Sequence, residues 1–218
     1  MRTLTETLEQ AVAQSMSKIP KEVLEVMQRA THELADSDMG KGLKVGDSAP
    51  DFKLKNAVGK EVSLSDKLKN GSVVLVFYRG EWCPYCNLEL KAYQELAPEF
   101  KEKGVEVIAI SPETPDHTVS MQQKHDLTYE VLSDSTKQVI KDYQLLFDLP
   151  DYLIEVYEKF GIDLTQFNAK ENAWSLPVPA TYVISQEGKI AYVEANPDYT
   201  KRLEPKEALE TAVKVKQA

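Results

Sequence analysis

Hydrophobic residues recur at two different spacings along this 218-residue chain, and the change of spacing divides it. Near the N-terminus Leu4, Leu8, Ala11 and Val12 fall at helical intervals, and Thr3 followed by Glu6 has the pattern of a capping box. Pro20 suits the start of a second helix that carries Val23, Leu24, Val26, Met27 and Leu34 and stops near Gly40. Residues 1–42 are therefore expected to form a helical extension, either a solvated leader on the core or an oligomer contact, a homodimer in the simplest case.

From Val45 the period shortens. "VGDSAPDFKLKNAVGKEVSLSDKL" sets turn residues around short alternating segments, as in a hairpin or two edge strands. Ser72–Tyr78, "SVVLVFY", is a continuous β-branched and aromatic run that reads as a buried central strand. Leu88, Leu90, Tyr93, Leu96 and Phe100 then give a helical stripe ending near Gly104, and Val105–Ser111 is the next buried strand. Strand, helix, strand in that order is a parallel crossover unit.

Further on, a helix is expected before "YEVLSD", a strand over it, and a helix over "STKQVIKDYQLL". Residues 147–176 are too long for an ordinary connection and read as an insertion. "ATYVIS" and "IAYVEA" flank a turn at Gly188 as a hairpin, and Glu204–Ala218 forms the last helix with Pro205 in its first turn. The prediction is an α/β domain over 43–218, with a central mixed sheet flanked by helices, plus the N-terminal extension.

Composition narrows the function. Lys and Arg number 26 against 35 Asp and Glu, and the net charge of -9 disfavours nucleic acid and anionic membrane surfaces. No stretch reaches the roughly 18 apolar residues of a membrane span, and the N-terminus lacks the apolar run of a secretory signal. A reducing cytoplasm is the expected location, where paired cysteines are more often catalytic or metal-binding than structural.

The two cysteines, Cys83 and Cys86, lie in "YRGEWCPYCN" between the central strand and the following helix. Zinc would need about four ligands, and His32, His117 and His125 have no ligand-like spacing beside the pair. No metal is expected. A redox pair is the better reading, because a helix N-terminus favours the reactive thiolate, and Pro84 fits the first helical turn. One thiol attacks and the other resolves the product as a disulfide. Trp82 and Tyr85 would supply an apolar rim. Arg79, one of four arginines, is placed to stabilise a thiolate or a polar substrate oxygen, the alternative being a surface salt bridge to Glu81.

Those residues carry a family resemblance. "VGDSAPDF", "VVLVFYRGEWCPYCNLEL" and "ATYVISQEGKI" resemble the thioredoxin-fold proteins over about residues 45–200, and more narrowly the alkyl hydroperoxide reductase and thiol-specific antioxidant group, the peroxiredoxins. The resemblance implies a thioredoxin-like fold and cofactor-free reduction of hydrogen peroxide or organic hydroperoxides. A cysteine sulfenic acid would be resolved by a second thiol, with thioredoxin, glutaredoxin or glutathione as reductant.

Aligned with the family's Pro-x-x-x-Thr-x-x-Cys loop, Cys86 takes the peroxidatic position, Cys83 the threonine and Arg79 the proline, while Pro179 stands where a late arginine is usual. "WCPYC" instead resembles thioredoxin and glutaredoxin. On that likeness Cys83 is the attacker and Pro179 a cis-proline beside an extended thiol substrate. The order of elements favours Cys86, and Arg79 and Arg202 are candidates to replace the missing arginine. Two other functions fit the same residues: a protein disulfide reductase, and a redox-sensing module acting through the N-terminal helices or the insertion.

Overall fold

The run Leu4–Met16 forms α1 and Lys21–Asp36 forms α2, in a computed structural model that describes residues 2–216. Both halves of the capping box are made: Thr3 Oγ1 accepts from Glu6 N at 3.1 Å, and Glu6 Oε2 accepts from Thr3 N at 3.0 Å. After them come β1 (Lys53–Asn56), β2 (Glu61–Ser63), α3 (Leu64–Leu68) and β3 (Val73–Phe77). Next are α4 (Pro84–Glu95), α5 (Ala97–Glu102), β4 (Glu106–Ser111), α6 (Pro115–Lys124), β5 (Glu130–Ser133) and α7 (Gln138–Asp142). The chain closes with β6 (Leu146–Asp148), α8 (Asp151–Lys159), β7 (Ser175–Pro177), β8 (Ala180–Ile184), β9 (Ile190–Ala195) and α9 (Pro205–Lys216).

Seven of these strands make one mixed sheet in the order β2-β1-β5-β4-β3-β8-β9. β3, β4 and β5 run parallel, β8 and β1 join them antiparallel, and the late hairpin β8–β9 completes one edge. Every residue of β3 is buried because both sheet faces are covered. Its alternate side chains divide between two cores: Val73, Leu75 and Phe77 pack with Tyr143 and Tyr182, whereas Val74 and Val76, with Tyr78 just beyond the strand, pack with Cys83, Cys86, Leu90 and α9.

Two helical expectations are altered. The stripe expected to run from Leu88 to Gly104 is two helices, α4 and α5, because Pro98 can neither donate to nor clear the carbonyl four residues back. The helix expected over "STKQVIKDYQLL" shrinks to α7, bounded by left-handed backbone at Lys137 (φ 60°) and Gln144 (φ 56°). The end of the last expected helix, Gln217 and Ala218, lies outside the described residues.

The ends of the 147–176 insertion are tied together by the antiparallel pair β6–β7, which turns α8 back over the core. There Leu149, Leu153, Tyr157 and Leu164 share a cluster with Ala30 and Met27 of α2 and with Trp82. α1 packs on α4, burying Leu4 and Leu8, each worth about 1.5–3 kcal/mol as an upper estimate. The Glu204 carboxylate accepts from the backbone N–H groups of Leu4 (3.1 Å) and Thr5 (2.7 Å) at the open end of α1. The N-terminal helices are thus fastened across the end of the sheet where β3 delivers the cysteines.

Candidate active site

The chain leaves β3 at Tyr78 and turns through Arg79–Trp82 to Cys83, the N-cap of α4, with Pro84 at its first position. Cys83 N donates to Gly80 O at 3.1 Å. Asn87 Nδ2 donates to Glu81 O at 2.7 Å and Cys83 O at 2.8 Å, while Asn87 Oδ1 accepts from His125 Nε2 at 2.7 Å. Glycine is required at position 80: its φ is 154°, and a Cβ there would stand 2.4 Å from Trp82 Nε1 and 2.7 Å from Glu113 Oε1.

Both thiols are free, and Cys83 and Cys86 are 1% and 0% exposed. Cys86 Sγ accepts from Arg79 N and from Arg202 Nη2, each at 3.5 Å. Arg202 is itself fixed: Nε donates to Glu89 Oε2 at 2.7 Å, and Nη1 donates to Lys201 O at 2.8 Å and to Tyr199 O. Glu89 follows Cys86 by three residues, so one face of α4 presents the thiol and the carboxylate together.

The two thiols diverge in acidity. Burial opposes a thiolate at Cys83, but the hydrogen bond from Cys86 and the charges of Arg79 and Arg202 outweigh it, and the Cys83 thiol falls below its ordinary range. At Cys86 burial and the neighbouring Cys83 both push the thiol up, against Arg202. Burial also raises the Glu89 carboxyl to about 7 despite its guanidinium partner, so that pair becomes fully ionic only above neutral pH.

Arg79 is 3% exposed and makes no surface salt bridge to Glu81. Its Nη2 donates to Tyr157 Oη, and its guanidinium carbon lies 4.3 Å from the ring centroid of Tyr199 and 4.8 Å from that of Trp82. Its buried Nε has no hydrogen-bond partner among the described residues. Glu81 instead pairs with His117 Nδ1, while His117 Nε2 donates to Gln166 O at 2.9 Å and Glu113 Oε1 accepts from Glu81 N at 2.8 Å. Glu81, Glu113 and His117 bring one ligating atom each within 4.8 Å of one another. Glu113 Oε2 also accepts from Ser111 Oγ at 3.4 Å, and through these bonds the group pins the loop before the cysteines.

A cavity of about 170 Å³ opens on this loop, lined by Cys83, Arg79, Trp82, Tyr85, Tyr157 and Met27 among others. The apolar rim expected from Trp82 and Tyr85 is there, but Pro179 is not part of it. Pro179 lines a second cavity of about 140 Å³ that shares Arg79, Tyr157 and Tyr199. No cis peptide occurs among the described residues, so the cis-proline expected at 179 is corrected to trans. The reason is local: β7 is held extended against β6, Val178 N donates to Leu145 O at 2.9 Å, and the chain runs straight on into β8.

Sequence reasoning placed Arg79, Cys83, Cys86, Trp82 and Tyr85 in one site but missed Tyr157, Tyr199, Glu89 and the α2 wall. Glu89 had a signal in its spacing from Cys86. Tyr157 and Met27 had none.

A family model described as the AhpC/TSA family matches residues 45–193. Peroxiredoxin Q, chloroplastic, of Suaeda salsa is 31% identical over 173 residues, covering 79% of this chain and 67% of that protein. Thiol-disulfide oxidoreductase ResA of Bacillus cereus is 34% identical over 114 residues, covering 52% of this chain and 65% of that protein. The chain thus spans about two thirds of the length of the curated relatives it matches. In fold it is similar to the crystal structure of peroxidoxin BcpB from Mycobacterium tuberculosis, with TM-score 0.62 and 24% identity over 79% of this chain and 98% of that one.

Proposed function

Because the chain belongs to the AhpC/TSA family, we propose that it is a thiol peroxidase that cycles Cys83 and Cys86 between dithiol and disulfide. The observation that carries the reading is Cys83 itself, a thiol of lowered pKa at the N-terminus of α4, facing a cavity, with Cys86 behind it. Cys83 is therefore the attacking thiolate, the reverse of the order that the peroxiredoxin loop alignment suggests.

Cys83 Sγ attacks the terminal oxygen of the hydroperoxide. The O–O bond breaks, sulfur is oxidised by two electrons to a sulfenic acid, and the departing alkoxide or hydroxide takes a proton and leaves as alcohol or water. Cys86 then attacks Cys83 Sγ; its thiol proton and the sulfenic hydroxyl leave as water, and one intramolecular disulfide remains. Arg202, against Cys86 Sγ, favours the thiolate that this second step needs. A thiol reductant restores the pair, and thioredoxin, glutaredoxin and glutathione are the candidates that a coupled assay separates. A reducing compartment such as the cytoplasm suits the dithiol resting state.

Stopped-flow mixing of the reduced protein with hydroperoxide, followed through Trp82 fluorescence, should give a fast bimolecular phase. A rate no better than that of a free thiol overturns the reading. Cys86→Ser should accumulate sulfenic acid and Cys83→Ser should not; the opposite pattern returns the attack to Cys86. The ResA likeness supports a second reading, a disulfide reductase. Cys83 is 1% exposed beneath the N-terminal helices, which counts against a protein disulfide as substrate. Insulin reduction at the rate of a thioredoxin would favour it.

A further inference from the structure

The N-terminal helices are fastened at their two ends and loose between them. Leu4 and Leu8 are buried at the start of α1, where Thr5 Oγ1 and two backbone N–H groups donate to the Glu204 carboxylate. Beyond α2, Gly42 N donates to Gln144 O at 3.0 Å and Leu43 N to Tyr143 O at 3.2 Å. From Glu9 to Arg29 no residue is buried, and Ala30 is the one buried residue of α2. Under this span lies an open cavity of about 880 Å³, with Val12, Ser15 and Ile19 above it and Tyr85, Asn196 and Tyr199 below. Helices that bridge a gap with so little buried surface open locally at far lower cost than the sheet does.

Yet the same span covers the reactive thiol. Ser15, Ile19, Val23 and Met27 line the smaller cavity over Cys83, which is 1% exposed. What holds α2 in that place is α8. Met27 and Ala30 pack with Leu149, Leu153 and Tyr157. Beside them on the surface, Tyr152 Oη donates to Glu33 Oε2, Arg29 Nε donates to Glu33 Oε1 at 2.7 Å, and the Arg29 guanidinium carbon lies 4.4 Å from the Tyr152 ring centroid. Arg29 and Glu33 stand one turn apart on α2 and Tyr152 is on α8, so this contact ties the two helices together. α1 and α2 precede residues 45–193, so the cover is not part of the stretch that matches the family.

We propose that α1 and α2 form a lid that admits partners to Cys83 by size, and that Arg29, Glu33 and Tyr152 are the latch that sets how often it opens. With the lid shut, a small peroxide reaches Cys83 through the cavity. A protein dithiol reaches the Cys83–Cys86 disulfide only after α2 lifts from α8. The peroxide half of this statement rests on the peroxidase reading; the lid itself does not. In the open state one thiolate of the protein dithiol attacks Cys83 Sγ, the S–S bond breaks, and Cys86 departs as a thiolate beside Arg202. The partner's second thiol then attacks the partner sulfur of the mixed disulfide, and Cys83 departs in turn. Two electrons have passed to the pair, the partner is left as a disulfide, and its two thiol protons reach the departing sulfurs through solvent. Opening of the lid thus limits the recharging half of the cycle and leaves the peroxide half alone.

The test follows alkylation of Cys83 in the full chain, mapped by mass spectrometry, with iodoacetamide and with a maleimide held on a short linker to a folded carrier protein. Tyr152→Ala removes both the ring and the hydroxyl of the latch. The rate with the carrier-borne maleimide should rise roughly five- to tenfold, as for the loss of one exposed cation–π contact and one hydrogen bond to a charged group. The rates with iodoacetamide and with hydrogen peroxide should stay within about twofold, since neither waits for the lid. Should Tyr152→Ala not fold, Glu33→Gln on the exposed side of α2 should shift the ratio of the two alkylation rates in the same direction. Hydrogen exchange on the unaltered protein should also show the amides of α2 opening together, ahead of those of β3 and α4. A carrier rate unchanged in the folded variant, a rise shared equally by iodoacetamide, or α2 amides as protected as those of β3 overturns the lid and leaves the peroxidase reading standing. Absence of a fast phase with hydrogen peroxide overturns the peroxidase reading, and the alkylation ratio then decides the lid by itself.

Discussion

Arg202 reaches Cys86 from the far end of the chain: its Nη2 lies 3.5 Å from Cys86 Sγ while its Nε is held 2.7 Å from Glu89 Oε2, a residue on the same helix as the thiol. The carboxylate orients the guanidinium and α4 fixes both groups it bridges, so the cation is aimed at sulfur before any substrate arrives. Arg202 follows the late hairpin, and its placement supplies a positive charge that the Pro179 position of the sheet does not.

Arg202→Gln should therefore fail in two measurable ways. Glu89, at 1% exposure, would be left as a buried carboxylate without its partner, a change that typically costs on the order of 3–5 kcal/mol in urea unfolding above neutral pH. Disulfide formation after sulfenic acid appears should also slow, because the Cys86 thiol loses the Arg202 charge that lowers it. Glu89→Gln with Arg202 intact should cost less, since the glutamine oxygen still accepts from Nε.

Arg79 acts on the other thiol. Alkylation of Cys83 by iodoacetamide, mapped by mass spectrometry across pH, should show a midpoint below the ordinary thiol value of about 8.5. Arg79→Gln removes one of the two guanidinium charges that favour the thiolate, so the midpoint should move up by about one pH unit and the rate at neutral pH should fall. An unmoved midpoint would assign the lowered pKa to Cys86 and Arg202 alone.

The parts of this arrangement that were legible in the sequence are those set by local pattern. Val73–Phe77 was readable as central because an uninterrupted β-branched run suits only a strand covered on both faces, and the placement of the cysteines at the strand-to-helix turn after it was readable from the same order. Tyr157 was not: it meets Arg79 only because the three-residue strands β6 and β7 pair and return α8 to the sheet, and strands so short leave no periodic trace. Met27 was placed on a helix, yet nothing in the helical period says which neighbour that helix covers. Pro179 was misjudged for the opposite reason, since its local spelling matched a known loop while the pairing of the residues before it decided its geometry.

Gly80→Ala tests the tightest point of the loop. A φ of 154° is essentially confined to glycine, which by itself costs about 1–3 kcal/mol, and the added Cβ collides with Trp82 and Glu113. Trp82 is a wall of the cavity, so the variant should lose both melting temperature and peroxide reactivity. A variant that kept its peroxide rate while losing stability would separate the loop's strain from the cavity's shape.

Glu113 gives the stability of the protein a slope with pH whose sign is fixed by burial. Its carboxyl is pushed up to about 8 chiefly by desolvation, against the backbone N–H of Glu81, with Glu81, His117, Cys86 and Tyr78 as its titratable neighbours. Below its ordinary value of 4.5 the group is protonated in both folded and unfolded chains and contributes no difference. Between 4.5 and about 8 the folded protein keeps a proton that the unfolded chain releases, so stability falls as pH rises, and above about 8 the full penalty is in place. Glu113→Gln keeps the acceptor for Glu81 N and cannot ionise. Its urea stability relative to the unaltered protein should therefore improve steadily from pH 5 to pH 8, by a few kcal/mol at the upper end as an order of magnitude. Glu89, whose folded pKa is also raised, titrates with the same sign in both proteins and cancels in the difference, whereas His117 is coupled to Glu113 and contributes to it. A difference that stayed flat across this range would mean that Glu113 is ionised in the folded protein, and that its buried charge is carried by the ion-paired His117.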